Sequence, residues 1–285
     1  MGMKAAFITI HGMGETPPNY SDEIIRELTR RLGPKFANLQ PGRVYYQGIL
    51  QPNEQRVWNS VARRVKWDEL RKFLLFGFGD AAGLESGKEA ADSVYTLAQI
   101  EIARELYRAA ITLDAGAPIV MLAHSLGCQV FSCYMWDAQL AASGKPVDVG
   151  IWRDIKLHEA KITGGPPLTV QQIAILQGAT LNTFFTTGCN IPIFVAAHAT
   201  QQIEPFPKPN ASFEWHNYYD RDDVLGWPLA DLSPAYAQLV SDHPINAGGG
   251  IMGWLLKSWN PMSHGQYWGD DDLLDPLTDK LSQLL

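Results

Sequence analysis

Near-continuous apolar or aromatic runs fall at 4–10, 43–48, 118–124, 181–187, 213–219 and 236–241, and each reads as a strand. Between most of them lie stretches with helical spacing, at 21–32, 54–75, 88–112, 126–142, 169–178 and 271–284. The runs Ala5-Ala6-Phe7-Ile8-Thr9-Ile10 and Pro118-Ile119-Val120-Met121-Leu122 lack period-two alternation, as strands covered on both faces do. Such strands alternating with helices predict an α/β fold, with a mostly parallel sheet flanked by helices. Asp270 to Asp272 would open the last helix, whose stripe is Leu273, Leu274, Leu277, Leu281 and Leu284. The 285 residues are expected to form one domain, 1–285, with candidate cap or lid segments at 66–86 and 143–170.

Two junctions in this pattern carry chemistry. Ala123-His124-Ser125-Leu126-Gly127 follows the strand ending near 124 and leads into the helix of Leu126, Val130, Phe131 and Tyr134. A serine on so sharp a strand-to-helix turn needs small neighbours two residues away on either side, and Ala123 and Gly127 supply them. The plain alternative is that Ser125 caps that helix. His11-Gly12-Met13-Gly14 follows the first strand, where glycines let backbone amides approach a ligand. Its plain alternative is a glycine-rich turn into the helix near Ser21.

These junctions resemble the nucleophile elbow and oxyanion loop of the α/β-hydrolase fold superfamily, in particular its lipase- and esterase-like serine hydrolases. The elbow departs from GxSxG in having Ala123 at the first small position. The resemblance implies Ser125 as nucleophile and the backbone amides of Met13 and Leu126 as the oxyanion hole, with His11, Gly12 and Gly14 shaping the loop. It places the acid after the aromatic run 215–219, where Asp223 before Val224-Leu225 fits best, Asp222 fits an alternative spacing, and Asp220 could end the strand or pair with Arg221. It places the histidine at His264, in Ser263-His264-Gly265-Gln266-Tyr267-Trp268 ahead of the last helix. His198, His216 and His243 are its rivals, whereas His124, beside the nucleophile, would point away from it. The order glycine loop, Ser, Asp, His is that of the family, and because the glycine loop follows the very first strand, the family's leading strands are expected to be missing.

Composition narrows the chemistry. A net charge of −7 argues against a nucleic-acid surface or an anionic polymer as substrate. Three cysteines without paired spacing suit a reducing compartment, so the cytoplasm is expected, and no run is long enough to span a bilayer. No HExxH, CxxC or Walker-type run occurs, so neither metal nor cofactor is expected. The stretch Trp67, Leu70, Phe73, Leu74, Leu75, Phe76 and Phe78, ending beside Gly77 and Gly79, reads either as a lid that contacts lipid peripherally or as a buried helix end.

The expected activity is hydrolysis of a carboxylic ester, of lipid or thioester type among the candidates, through an acyl-enzyme on Ser125. The same residues would serve an acyltransferase, and a non-catalytic scaffold binding a ligand or partner in the same cleft is the reading from another class.

Overall fold

Alternate residues of the central strands enter two separate cores. Ala6, Ile8 and Ile10 join one cluster with Ile119, Met121 and Phe184, whereas Ala5 and Phe7 join another with Val120, Leu122 and Phe185. A strand buried on both faces has no polar face to show, which is why its sequence reads as a continuous apolar run. The computed structural model describes residues 2–197, 203–247 and 267–285.

Strands β1 (Ala5–Ile10), β2 (Leu39–Val44), β3 (Ile119–His124), β4 (Leu181–Thr187), β5 (Glu214–Asp220) and β6 (Val240–Ile245) form one sheet in the order β2-β1-β3-β4-β5-β6. Every neighbouring pair is parallel. The helices among the described residues are α1 (Asp22–Leu32), α2 (Gln51–Val61), α3 (Asp68–Glu85), α4 (Val94–Thr112), α5 (Leu126–Ala142), α6 (Glu159–Thr163), α7 (Val170–Leu176), α8 (Ile191–Ala196), α9 (Pro234–Leu239) and α10 (Asp271–Leu284). One face of the sheet is covered by α1 and α10, whose buried Ile24, Leu28, Leu273, Leu277 and Leu281 share a cluster. Arg31 of α1 pairs with both Asp271 and Asp275 of α10, fixing the two helices side by side. Buried residues of α3 through α9 fill the other face. The fold is thus α/β with an all-parallel sheet between helical layers, consistent with an α/β-hydrolase-like fold. Because all strands run one way, their carboxyl ends share one edge, the edge where open α/β sheets bind ligands.

Three elements differ from the sequence expectation. β2 occupies 39–44 rather than 43–48. Pro41 is tolerated there because the strand is at the sheet's edge, and Tyr45 and Tyr46 leave it to pack against His11. β6 starts at Val240, after the short helix α9, whose cap Ser233 accepts from Tyr236 N at 3.3 Å and whose first residue is Pro234. His243 therefore lies inside β6 rather than beyond it.

The expected helix over 54–75 is broken into α2 and α3, with Trp67 at the corner in the left-handed region (φ 66°, ψ 47°). A straight helix would separate Glu54 and Gly79 by more than about 30 Å. The break brings them together, so that a Cβ at Gly79 would lie 2.7 Å from Glu54 Oε1.

Candidate functional site

The chain leaves β3 at His124 and enters α5 at Leu126, leaving one residue to make the turn. That residue, Ser125, sits at φ 52°, ψ −124°, and among the described residues it shares a positive φ only with Trp67 and glycines. Such a backbone is costly for a side chain with a Cβ and persists only where its surroundings hold it. Its amide donates to Thr187 O on β4 at 2.9 Å, and its carbonyl accepts from Cys128 N at 3.0 Å. From below, β1 crowds the turn. A Cβ at Gly127 would overlap the His11 carbonyl oxygen, and one at Gly12 would lie 2.7 Å from Ser125 Cβ. The small residues at these places are therefore demanded by contact between the ends of β1 and β3.

The Ser125 side chain is buried, and its Oγ has no hydrogen-bond partner among the described residues. It caps no amide of α5, so the helix-capping alternative does not describe this serine. Leu126, as the first residue of α5, has no intrahelical acceptor for its N–H, and the helix directs its positive end at the turn.

The loop after β1 is held by its own histidine. Tyr46 N donates to His11 Nε2 at 3.2 Å, so Nε2 carries no proton and Nδ1–H donates to Gly12 O at 2.8 Å. Burial pushes the His11 imidazole down to about 4, and its ring stacks on Tyr46 at 4.1 Å. His11 is a neutral brace and not a general base. Beyond it, Gly14 N donates to Asp80 at 3.0 Å, and Asp80 also accepts from Gln47 Nε2 at 3.1 and 3.2 Å. Met13 packs on α3, where a Cβ at Gly77 would meet its Sδ at 2.6 Å. The segment proposed as a lid at 66–86 is therefore a helix whose inner residues, Phe76, Asp80 and Leu84, face the core and the glycine loop, and whose Trp67 and Phe78 are exposed.

Among the three carboxylates at the end of β5 and just beyond it, the structure separates the candidates by burial. Asp222 is exposed, whereas Asp223 is 6% exposed. Asp223 accepts from Tyr267 Oη at 2.8 Å and from Leu225 N at 2.9 Å. The same Tyr267 oxygen accepts from Asp220 N at 2.9 Å, so this hydroxyl joins the end of β5 to the acid loop. Burial, and next the charge of Asp223, push the Tyr267 phenol far up, keeping it a neutral donor. Asp220 accepts from Asp222 N at 2.9 Å and so ends the strand in a local turn. The far end of the acid loop is pinned by Asp242 on β6, which accepts from Leu229 N, Ala230 N and Asn217 Nδ2 at 2.7–3.1 Å.

His264 lies outside the described residues, as does His198. The Tyr267 ring is 5.8 Å from that of His124, and Trp268 Nε1 donates to Thr187 Oγ1 at 3.1 Å. His124 Nδ1 is 3.1 Å from Thr187 O, on the β4 side of the elbow. His216 and His243 face each other at 3.0 Å between β5 and β6. The glycine loop, Ser125, Thr187, Tyr267 and Asp223 thus gather at the carboxyl edge of β1, β3, β4 and β5. Asp80, Thr187 and Tyr267 were not singled out as site residues from sequence; the nearest signal was the Tyr267-Trp268 pair after Ser263-His264. Asn190, buried after β4 with neither amide atom hydrogen-bonded among the described residues, is a further polar group at this edge.

No group of three or more His, Cys, Asp or Glu among the described residues could hold a metal ion. No described helix is long and apolar enough to cross a membrane. No family model and no curated protein matches the chain. Among solved structures it is similar to an iodinated complex of acetyl xylan esterase, at 11% identity and a TM-score of 0.40, over 97% of this chain and 98% of that one.

Proposed function

We propose that the protein is a serine hydrolase that cleaves carboxylic esters through an acyl-enzyme on Ser125. The observation that carries this reading is the Ser125 backbone, held at φ 52° between β3 and α5 with a buried hydroxyl that serves no structural hydrogen bond among the described residues. Strain of this kind in a residue that caps nothing is what a presented nucleophile requires.

In this mechanism His264 takes the hydroxyl proton as Ser125 Oγ attacks the acyl carbon, and Asp223 fixes the imidazole tautomer and supports its cationic form. The amides of Leu126 and Met13 receive the developing oxyanion, each donor lowering the barrier by about 3 kcal/mol. His264 then protonates the departing alcohol. Water, deprotonated by the same imidazole, attacks the acyl-enzyme and releases the acid. Three unpaired cysteines accord with a reducing, cytoplasmic setting for this enzyme.

The test is labelling of the full chain by a fluorophosphonate, with the adduct located by peptide mass. Wild type is expected to be labelled at Ser125 and the Ser125→Ala variant to remain unlabelled at unchanged melting temperature. Labelling elsewhere, or none on folded protein, overturns the mechanism and favours the binding-scaffold reading.

A further inference from the structure

The net charge of −7 conceals a local inversion. Residues 56–72, which span the end of α2, the corner and the start of α3, hold six basic side chains and two carboxylates. Arg56, Arg63, Arg64, Lys66 and Arg71 are exposed, and none makes an ion pair among the described residues.

The same hairpin carries exposed apolar groups. Val57, Val61, Trp67, Leu74 and Phe78 are 38–75% exposed, five of the twelve large hydrophobics exposed among the described residues. On α3 the four-residue spacing of Leu74 and Phe78 puts these two on one side, with Trp67 at the corner ahead of the helix. Phe76, Asp80 and Leu84 take the other side, against the glycine loop and the core. Trp67 is the most exposed of the hairpin's apolar groups and is also held at φ 66°. The left-handed backbone makes the corner, and Arg71 N donates to the Trp67 carbonyl at 2.9 Å, but the exposed indole beside further exposed apolar groups is a surface that contact with an apolar phase would cover.

We propose that the outer face of the α2–α3 hairpin docks on an anionic lipid bilayer, with Trp67 and Phe78 entering the headgroup region and the arginines and Lys66 meeting lipid phosphates. Charge decides the orientation. The chain is acidic overall while this face carries a cluster of exposed basic side chains, so an anionic surface favours approach and docking through the same side. Chemistry decides against nucleic acid. Rings and cations alone would suit stacked bases, but Val57, Val61 and Leu74 contribute nothing to bases or phosphates and need an apolar phase. The inner face of α3 touches Met13 and Gly14, so docking sets the elbow edge of the sheet near the lipid. That the hydrolysed ester is itself bilayer-resident rests on the function proposed above, whereas the docking does not.

The experiment is co-sedimentation of the full chain with vesicles of phosphatidylcholine alone or mixed with phosphatidylglycerol, with fluorophosphonate labelling of the same samples. Wild type is expected to bind the mixed vesicles, to release with salt, and to bind phosphatidylcholine weakly. Trp67→Ser/Phe78→Ser and Arg63→Glu/Arg64→Glu/Lys66→Glu should each lower partition at least roughly tenfold, while both retain labelling of Ser125 in the absence of lipid. Ser125→Ala should bind vesicles as wild type does, so a failed nucleophile and a failed docking face give different results. Equal binding to both vesicles, wild-type partition by both variants, loss of self-association instead of vesicle binding, or capture of an oligonucleotide in place of vesicles overturns the proposal.

Discussion

The backbone amide of Gly14 donates to the carboxylate of Asp80 at 3.0 Å, tying the loop after the first strand to a helix 66 residues away. Gln47 completes the shell of that carboxylate from a third segment. Because Met13 lies between Gly12 and Gly14, a loose Gly14 would let the proposed oxyanion amide wander. Asp80→Ala leaves buried donors of Gly14 and Gln47 without an acceptor, at about 1–3 kcal/mol each. The expected outcome is a lowered melting temperature together with a kcat on a soluble ester reduced by roughly tenfold or more. An activity loss no greater than the folded fraction explains would show that the loop is positioned without Asp80.

Stability should depend on pH through Glu54, which is buried beside Asp80. Burial first, and then the like charge of Asp80, raise its carboxyl from 4.5 to about 8. Below 4.5 both folded and unfolded chains hold the proton, so the stabilisation is fully present. Between 4.5 and about 8 only the folded chain holds it, so stability falls as pH rises and then levels off. His11 works in the opposite sense, because its value drops from 6.5 to about 4 and stability is lost as pH falls through that interval. The Glu54 contribution is therefore cleanest above 6.5. Denaturant melts across pH should show Glu54→Gln with a flatter slope than wild type between 6.5 and 8, and with the higher stability of the two at pH 8. Parallel slopes for the two proteins would remove Glu54 as the proton holder.

The elements legible in the sequence are those whose burial is complete. β4, α5 and α10 match their expected bounds, and β1, β3 and α1 begin one residue later than expected, since continuous apolar runs and leucine stripes state burial directly. What escaped was decided by contacts made elsewhere in the chain. Tyr46 leaves its strand because His11 Nε2 takes its amide, and α2 and α3 separate at Trp67, which folds Gly79 back against Glu54. Neither choice has a local signal. The candidate site divides the same way. Gly12 and Gly127 advertise a close approach, and Ser125 sits where their spacing predicts a sharp turn. The use of Tyr267 and Asp80 depends on hydrogen bonds across 44 and 66 residues, which no periodicity encodes.

Those long-range bonds also distinguish the two carboxylates that spacing alone left open. Asp223 is buried and bonded to Tyr267 and Leu225, whereas Asp222 points its side chain to solvent. A carboxylate that orients an imidazole must itself be oriented, and a solvated one is not. With ester turnover as the readout, Asp222→Asn should stay within about twofold of wild type, because an exposed polar exchange leaves the site alone. Asp223→Asn should lower kcat by roughly 10³–10⁴ by disturbing the imidazole tautomer. Tyr267→Phe keeps the ring and removes one hydrogen bond to the charged acid, so a loss of roughly tenfold in kcat is expected. If Asp222→Asn carried the large loss and Asp223→Asn did not, the acid would be the solvated residue, and the Tyr267 bridge would be part of the scaffold alone.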